Sequence, residues 1–108
     1  MAVELPHVIQ NYVDSSNRHD VQSIISCFSD DGVVRDEGKA LRGKSAIEDW
    51  IRATIEKYKF HFKPLGIKQE LDEIVAAVEV SGTFDGSPIT LDYRFRIQTE
   101  KIVSLAID

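Results

Sequence analysis

Apolar residues recur at helical spacing through the first half of this chain and at every second position through the rest. Leu5, Val8, Ile9, Tyr12 and Val13 fall on one helical face, with Pro6 near the first turn, where a missing N–H costs little. The polar stretch Ser15 to His19 ends that helix. Asp20 then caps a shorter one whose apolar face is Val21, Ile24, Ile25 and Phe28. Ser29-Asp30-Asp31-Gly32 reads as a turn, Val33 to Asp36 as a short strand, Glu37-Gly38 as its close, and the stretch to Gly43 as a loop. Ser45 and Glu48 have capping-box spacing and open the longest helix, whose buried stripe is Ile47, Trp50, Ile51, Thr54, Ile55 and Tyr58.

From Phe60 the period is two. Phe60 and Phe62 alternate with His61 and Lys63 before Pro64, Ile67 to Leu71 continue the sheet edge, and Leu71-Asp72-Glu73-Ile74 is a connection. Ala76, Val78, Val80, Gly82 and Phe84 share one strand face against Ala77, Glu79, Ser81 and Thr83. After a hairpin signal at Asp85-Gly86, Ile89, Leu91, Tyr93, Phe95 and Ile97 share the next face, against Thr90, Asp92, Arg94 and Arg96. Gln98 to Glu100 make a last turn and Ile102 to Ile107 a last strand. Three helices followed by an antiparallel meander predict an α+β domain over residues 1–108. A twisted sheet wrapped round one long helix leaves part of its concave face uncovered, so a pocket is expected there.

Composition narrows the classes. The 108 residues carry a net charge of -5 with no cluster of Lys or Arg, which argues against nucleic-acid binding. No stretch approaches the roughly 18 apolar residues that span a bilayer, and Met1 to Pro6 lack a signal-peptide pattern. Cys27 is the single cysteine, without a base in its pattern, so it reads as structural and a cytoplasmic location is expected. His7, His19 and His61 have no ligand-type spacing. Neither a phosphate-cradling glycine loop nor a nucleophile elbow occurs, and no metal or cofactor is expected.

Several strings resemble the nuclear transport factor 2-like superfamily, in particular its SnoaL-like polyketide cyclase and ketosteroid isomerase branches. They are Tyr12-Val13 with Asn17 and Asp20, Phe28-Ser29-Asp30-Asp31, Val34-Arg35-Asp36, Arg42-Gly43 leading to Ala46-Ile47 and Trp50, and Phe95-Arg96-Ile97 before Lys101-Ile102-Val103. The resemblance covers nearly the whole chain and implies a cone-shaped, cystatin-like fold with three N-terminal helices packed on a curved antiparallel sheet. It places a general-base aspartate on Asp36, an oxyanion tyrosine on Tyr12 and a pocket aromatic on Trp50. That family commonly has proline after the aspartate, where this chain has Glu37. Its second oxyanion donor falls on Asp92 by the Leu91-Asp92 context, or on Tyr93 by the Phe95-Arg96-Ile97 string. Strand parity favours Tyr93, which shares a face with Leu91 and Phe95.

An aspartate at an apolar mouth has its charged form desolvated, which raises its basicity. A buried phenol that finds no protein partner can meet a ligand oxygen. Trp50, Phe28, Val34 and Phe95 are candidates for the pocket wall, although Phe28, Phe60, Phe62 and Phe84 also read as core. Two functions follow from the resemblance. One is a cofactor-free isomerase, cyclase or dehydratase acting on an apolar carbonyl or ring compound. The other is a non-catalytic module that binds a hydrophobic ligand or dimerises. A homodimer through the outer sheet face, with its mixed charges, is what the resemblance implies.

Overall fold

The helical stripes of the first half become α1 (His7–Asn17), α2 (Val21–Ser26) and α3 (Lys44–Tyr58) in a computed structural model that describes residues 5–107. Met1 to Glu4, part of the segment read above for a signal peptide, and Asp108 lie outside the described residues. Pro6 precedes α1 in an extended conformation instead of entering its first turn, and its carbonyl accepts from the Gln10 N–H at 2.9 Å. Asp20 caps α2 by accepting from the Ser23 N–H at 3.2 Å. The capping box does not form. The cap of α3 is Gly43, at a φ of 86° that glycine adopts freely, and Glu48 instead accepts from Arg52 one turn on, at 2.9 Å.

The strands are β1 (Phe28–Asp36), β2 (Lys39–Arg42), β3 (His61–Glu70), β4 (Glu73–Ser81), β5 (Ile89–Gln98) and β6 (Lys101–Ile107). They form one sheet in the order β2-β1-β6-β5-β4-β3. Every neighbouring pair is antiparallel except β1 and β6, which run parallel, so the sheet departs from a purely antiparallel one between its second and third strands. Phe28 opens β1 instead of extending α2. The expected Ser29–Gly32 turn is an irregular stretch inside β1: Phe28 pairs with Ile102 and the next paired residue, Val33, lies opposite Ser104. The loop expected before Gly43 is largely strand β2. Glu37 and Gly38, at φ of 52° and 77°, make a two-residue turn with both central residues left-handed, which matches strand twist and folds the chain straight back.

The β4–β5 connection is longer than the Asp85-Gly86 signal alone implied. It spans residues 82–88 because the Thr83 N–H bonds the Tyr58 carbonyl at 2.8 Å, holding the excursion against the end of α3. A Cβ on Gly82 would collide with that same carbonyl, so this approach needs glycine. At the other edge, β3 is clamped to α1. The Asn17 side chain donates to the Phe62 carbonyl at 3.0 Å and accepts from the Phe62 N–H at 2.7 Å.

The core fills the narrow end of the cone. Val34, Leu105 and Phe95 lie side by side across β1, β6 and β5, with exposures of 0%, 0% and 1%. Ile9, Ile24 and Ile47 from the three helices belong to the same buried cluster. Fully burying side chains of this size contributes about 1.5–3 kcal/mol each. Beyond this rung the sheet continues and the helical cover does not close over it.

Candidate functional site

The uncovered part of the concave face is a cavity of about 210 Å³. Strand parity determines which groups enter it. Two residues beyond Val34, Leu105 and Phe95 along the same face come Asp36, Ile107 and Tyr93. Asp36 on β1 and Tyr93 on β5 are therefore separated by the one strand β6, at about 4.8 Å per strand spacing, and both side chains face the cavity. Tyr12 of α1 and Trp50 of α3 line it from the helical side.

The Trp50 indole N–H donates to Oδ2 of Asp36 at 3.1 Å, which fixes the carboxylate. Burial raises the Asp36 pKa above the usual carboxylate range; the Trp50 hydrogen bond counters this and the neighbouring Glu37 charge adds to it. Both tyrosines are held protonated. Burial pushes Tyr12 well above the ordinary phenol value, with the Tyr93 and Asp36 groups adding to it. Burial and the Asp36 charge raise Tyr93 likewise. Tyr93 is 5% exposed, and among the described residues no protein group hydrogen-bonds its hydroxyl. Ser16, one turn beyond Tyr12 on α1, lies beside the Tyr12 phenol and lines the same space.

The sequence candidates divide. Asp36, Tyr12, Tyr93 and Trp50 meet at the cavity. Asp92 lies on the opposite strand face, paired with Ala77, and does not line it. Phe28, Val34 and Phe95 sit behind Tyr12 in the core: the Tyr12 ring meets Phe28 edge-on at 6.0 Å and Phe95 at 5.7 Å. The aromatic wall comes instead from Phe60, Phe62 and Phe84, each of which lines the cavity. Their alternation was legible, but their lining role depends on how far the helices reach. Glu37 and Tyr58 at the mouth were also missed. The Tyr58 hydroxyl donates to Oε1 of Glu37 at 3.2 Å, a pairing set by the left-handed Glu37 backbone. Proline cannot adopt that φ, so Glu37 permits a tight turn that the proline of the family pattern would not. No three His, Cys, Asp or Glu side chains come together as a metal site among the described residues.

Three helices packed into the concavity of a curved, open six-stranded sheet, with a cavity at the wide end, define the cystatin-like or NTF2-like class of fold. Within it the chain belongs to the SnoaL-like domain family, whose model matches residues 9–105. A polyketide cyclase of Sinorhizobium meliloti, so described provisionally, is 34% identical over 96% of this chain and 95% of its own, with a TM-score of 0.92. A hypothetical protein of Catenulispora acidiphila with a ketosteroid isomerase-like fold, in complex with trimethylamine, is 17% identical over 97% and 86%, with a TM-score of 0.83. The Orange Carotenoid Protein of Anabaena, binding canthaxanthin, is 20% identical over all of this chain and 36% of its own, with a TM-score of 0.85. The last two likenesses are of fold alone. No curated protein matches this chain. No helix among the described residues is long and apolar enough to cross a membrane.

Proposed function

We propose that the cavity takes an apolar ring compound bearing a carbonyl, and that Asp36 moves a proton on the carbon beside it. The observation that carries this reading is the placement of Asp36 opposite two protonated tyrosines in one apolar cavity. The Asp36 carboxylate takes the proton; the C–H electrons form a C=C bond and the carbonyl electrons move onto oxygen. Tyr93, and Tyr12 beside it, donate to that oxygen, and Asp36 returns the proton to the same carbon or another. This assigns the second donor to Tyr93 and gives Asp92 no role.

The test is hydrogen–deuterium exchange at the α-carbons of 2-indanone, followed by NMR in D₂O. Asp36→Asn should slow the protein-catalysed exchange by about a hundredfold or more while leaving binding nearly intact. An unchanged rate would sink the assignment. The rate should rise with pH as Asp36 loses its proton, with a midpoint above the ordinary carboxylate value.

A non-catalytic binding module is the second reading, favoured by the Trp50 hydrogen bond, which stabilises the carboxylate and works against basicity. Tight 2-indanone binding without exchange would select it. Pairing of two copies through the outer sheet face belongs to either reading. That face carries charges of both signs, with Arg94 paired to Glu70 and Arg96 to Asp72 within the chain, and light scattering at rising concentration tests the pairing of copies.

A further inference from the structure

We propose that Glu37 is the charge gate of this cavity, admitting uncharged one- or two-ring compounds and turning away their carboxylate analogues. The inference rests on the cavity being a ligand site and adds the class of ligand. It begins with the backbone. Asp36 and Glu37 are sequence neighbours, and a regular strand would send their side chains to opposite faces. The left-handed φ of Glu37, 52°, turns its carboxylate back to the same mouth, where the Tyr58 hydroxyl latches it at 3.2 Å. Tyr58 is itself seated edge-on against Phe84, with ring centroids 5.6 Å apart.

The charged side chains that line the cavity are therefore both acidic. Asp36 comes from β1 and Glu37 from the turn after it, and no Lys, Arg or His lines the cavity among the described residues. Arg35 and Lys39 flank the Asp36–Glu37 turn on its outer side and Lys57 of α3 lies over the Tyr58 ring, 5.1 Å from its centroid, but all three are exposed and none lines the cavity. A ligand carboxylate would have to pass Glu37 and settle near Asp36 between aromatic walls, where like charges repel strongly.

The interior asks for something different. Tyr93 is a buried residue whose hydroxyl has no protein partner among the described residues, and a phenol donates equally well to a neutral carbonyl. The size is also set. About 150 Å³ of apolar cavity accommodates a benzene, so 210 Å³ suits one or two fused rings.

The chain supplies its own reporter, since Trp50 is the single tryptophan and its indole N–H bonds Asp36. Its one ¹⁵N–¹H side-chain resonance should follow titrations with 2-indanone and with indane-2-carboxylate. The ketone is expected to bind at least about tenfold more tightly than the acid. Glu37→Gln should narrow that gap about tenfold by improving the acid, with the ketone held within about twofold. Tyr58→Phe should act in the same direction and less. In the unaltered protein, added salt should strengthen the acid's binding and leave the ketone's unchanged, which tests the gate without any variant. Equal affinities for the two probes, a gap that Glu37→Gln leaves intact, or no saturable shift with the ketone would each overturn the proposal. Failure of proton transfer is read separately: a preserved gap without α-proton exchange removes the chemistry and leaves the gate.

Discussion

Val34, Leu105 and Phe95 form one rung across β1, β6 and β5, and Asp36, Ile107 and Tyr93 form the next on the same concave face. The first rung is sealed by Tyr12 and the helix residues around it; the second borders a cavity of about 210 Å³. The two differ by one step of strand alternation and nothing else in the sheet. What separates a core position from a site position is where the helices stop. The polar residues of the second rung then have distinct surroundings: a carboxylate bonded to an indole, and a phenol without a partner.

Substitutions along the two rungs should divide accordingly. Phe95→Ala opens a void in the sealed rung and should cost about 3–5 kcal/mol of stability, read by urea denaturation. Tyr93→Phe, one alternation away, should leave stability unchanged within about 1 kcal/mol, because the hydroxyl it removes has no protein partner, yet weaken 2-indanone binding. Equal losses from the two would erase the distinction. Asn17→Ala leaves the Phe62 N–H without its acceptor and should cost about 1–3 kcal/mol. It should also loosen the cavity wall, seen as faster amide exchange at Phe62.

The smallest effect is a matter of pH. Asp36 has a raised pKa, so the folded state holds its proton more firmly than the unfolded chain. That group's contribution to stability therefore falls as pH rises from the ordinary carboxylate value through the folded one. Asp36→Asn should be relatively more stable above that window than below it. A stability difference from the unaltered protein that stays constant between acid and neutral pH would show that Asp36 is solvated like an ordinary surface acid.

Much of this was legible in the alternation of residues. The period-two runs placed Tyr93 with Phe95 and opposed Asp92, and the helical stripe placed Trp50 inward, because both follow from backbone geometry. The resemblance supplied Asp36 and Tyr12. Phe28, Val34 and Phe95 have the same apolar signature as Phe60, Phe62 and Phe84, and local pattern cannot separate filled from unfilled space. Glu37 was hidden for another reason: its role depends on a left-handed turn, and glutamate does not announce one. The false capping box has a similar lesson, since Gly43 met the helix start through a positive φ that Ser45 could not supply.

The parallel pairing of β1 with β6 has a consequence for how the chain reaches this state. β6 lies between β1 and β5, so the strand carrying Asp36 joins the strand carrying Tyr93 only through a segment made much later. Until β6 docks, the β1–β2 hairpin and the β3–β4–β5 meander share no backbone hydrogen bonds. The contacts that align the two polar residues are thus among the most distant in sequence, and distant contacts are slow to form. Bringing Asp36 and Tyr93 into register therefore depends on the long-range pairing of β6, whereas the Trp50–Asp36 hydrogen bond joins elements only 14 residues apart.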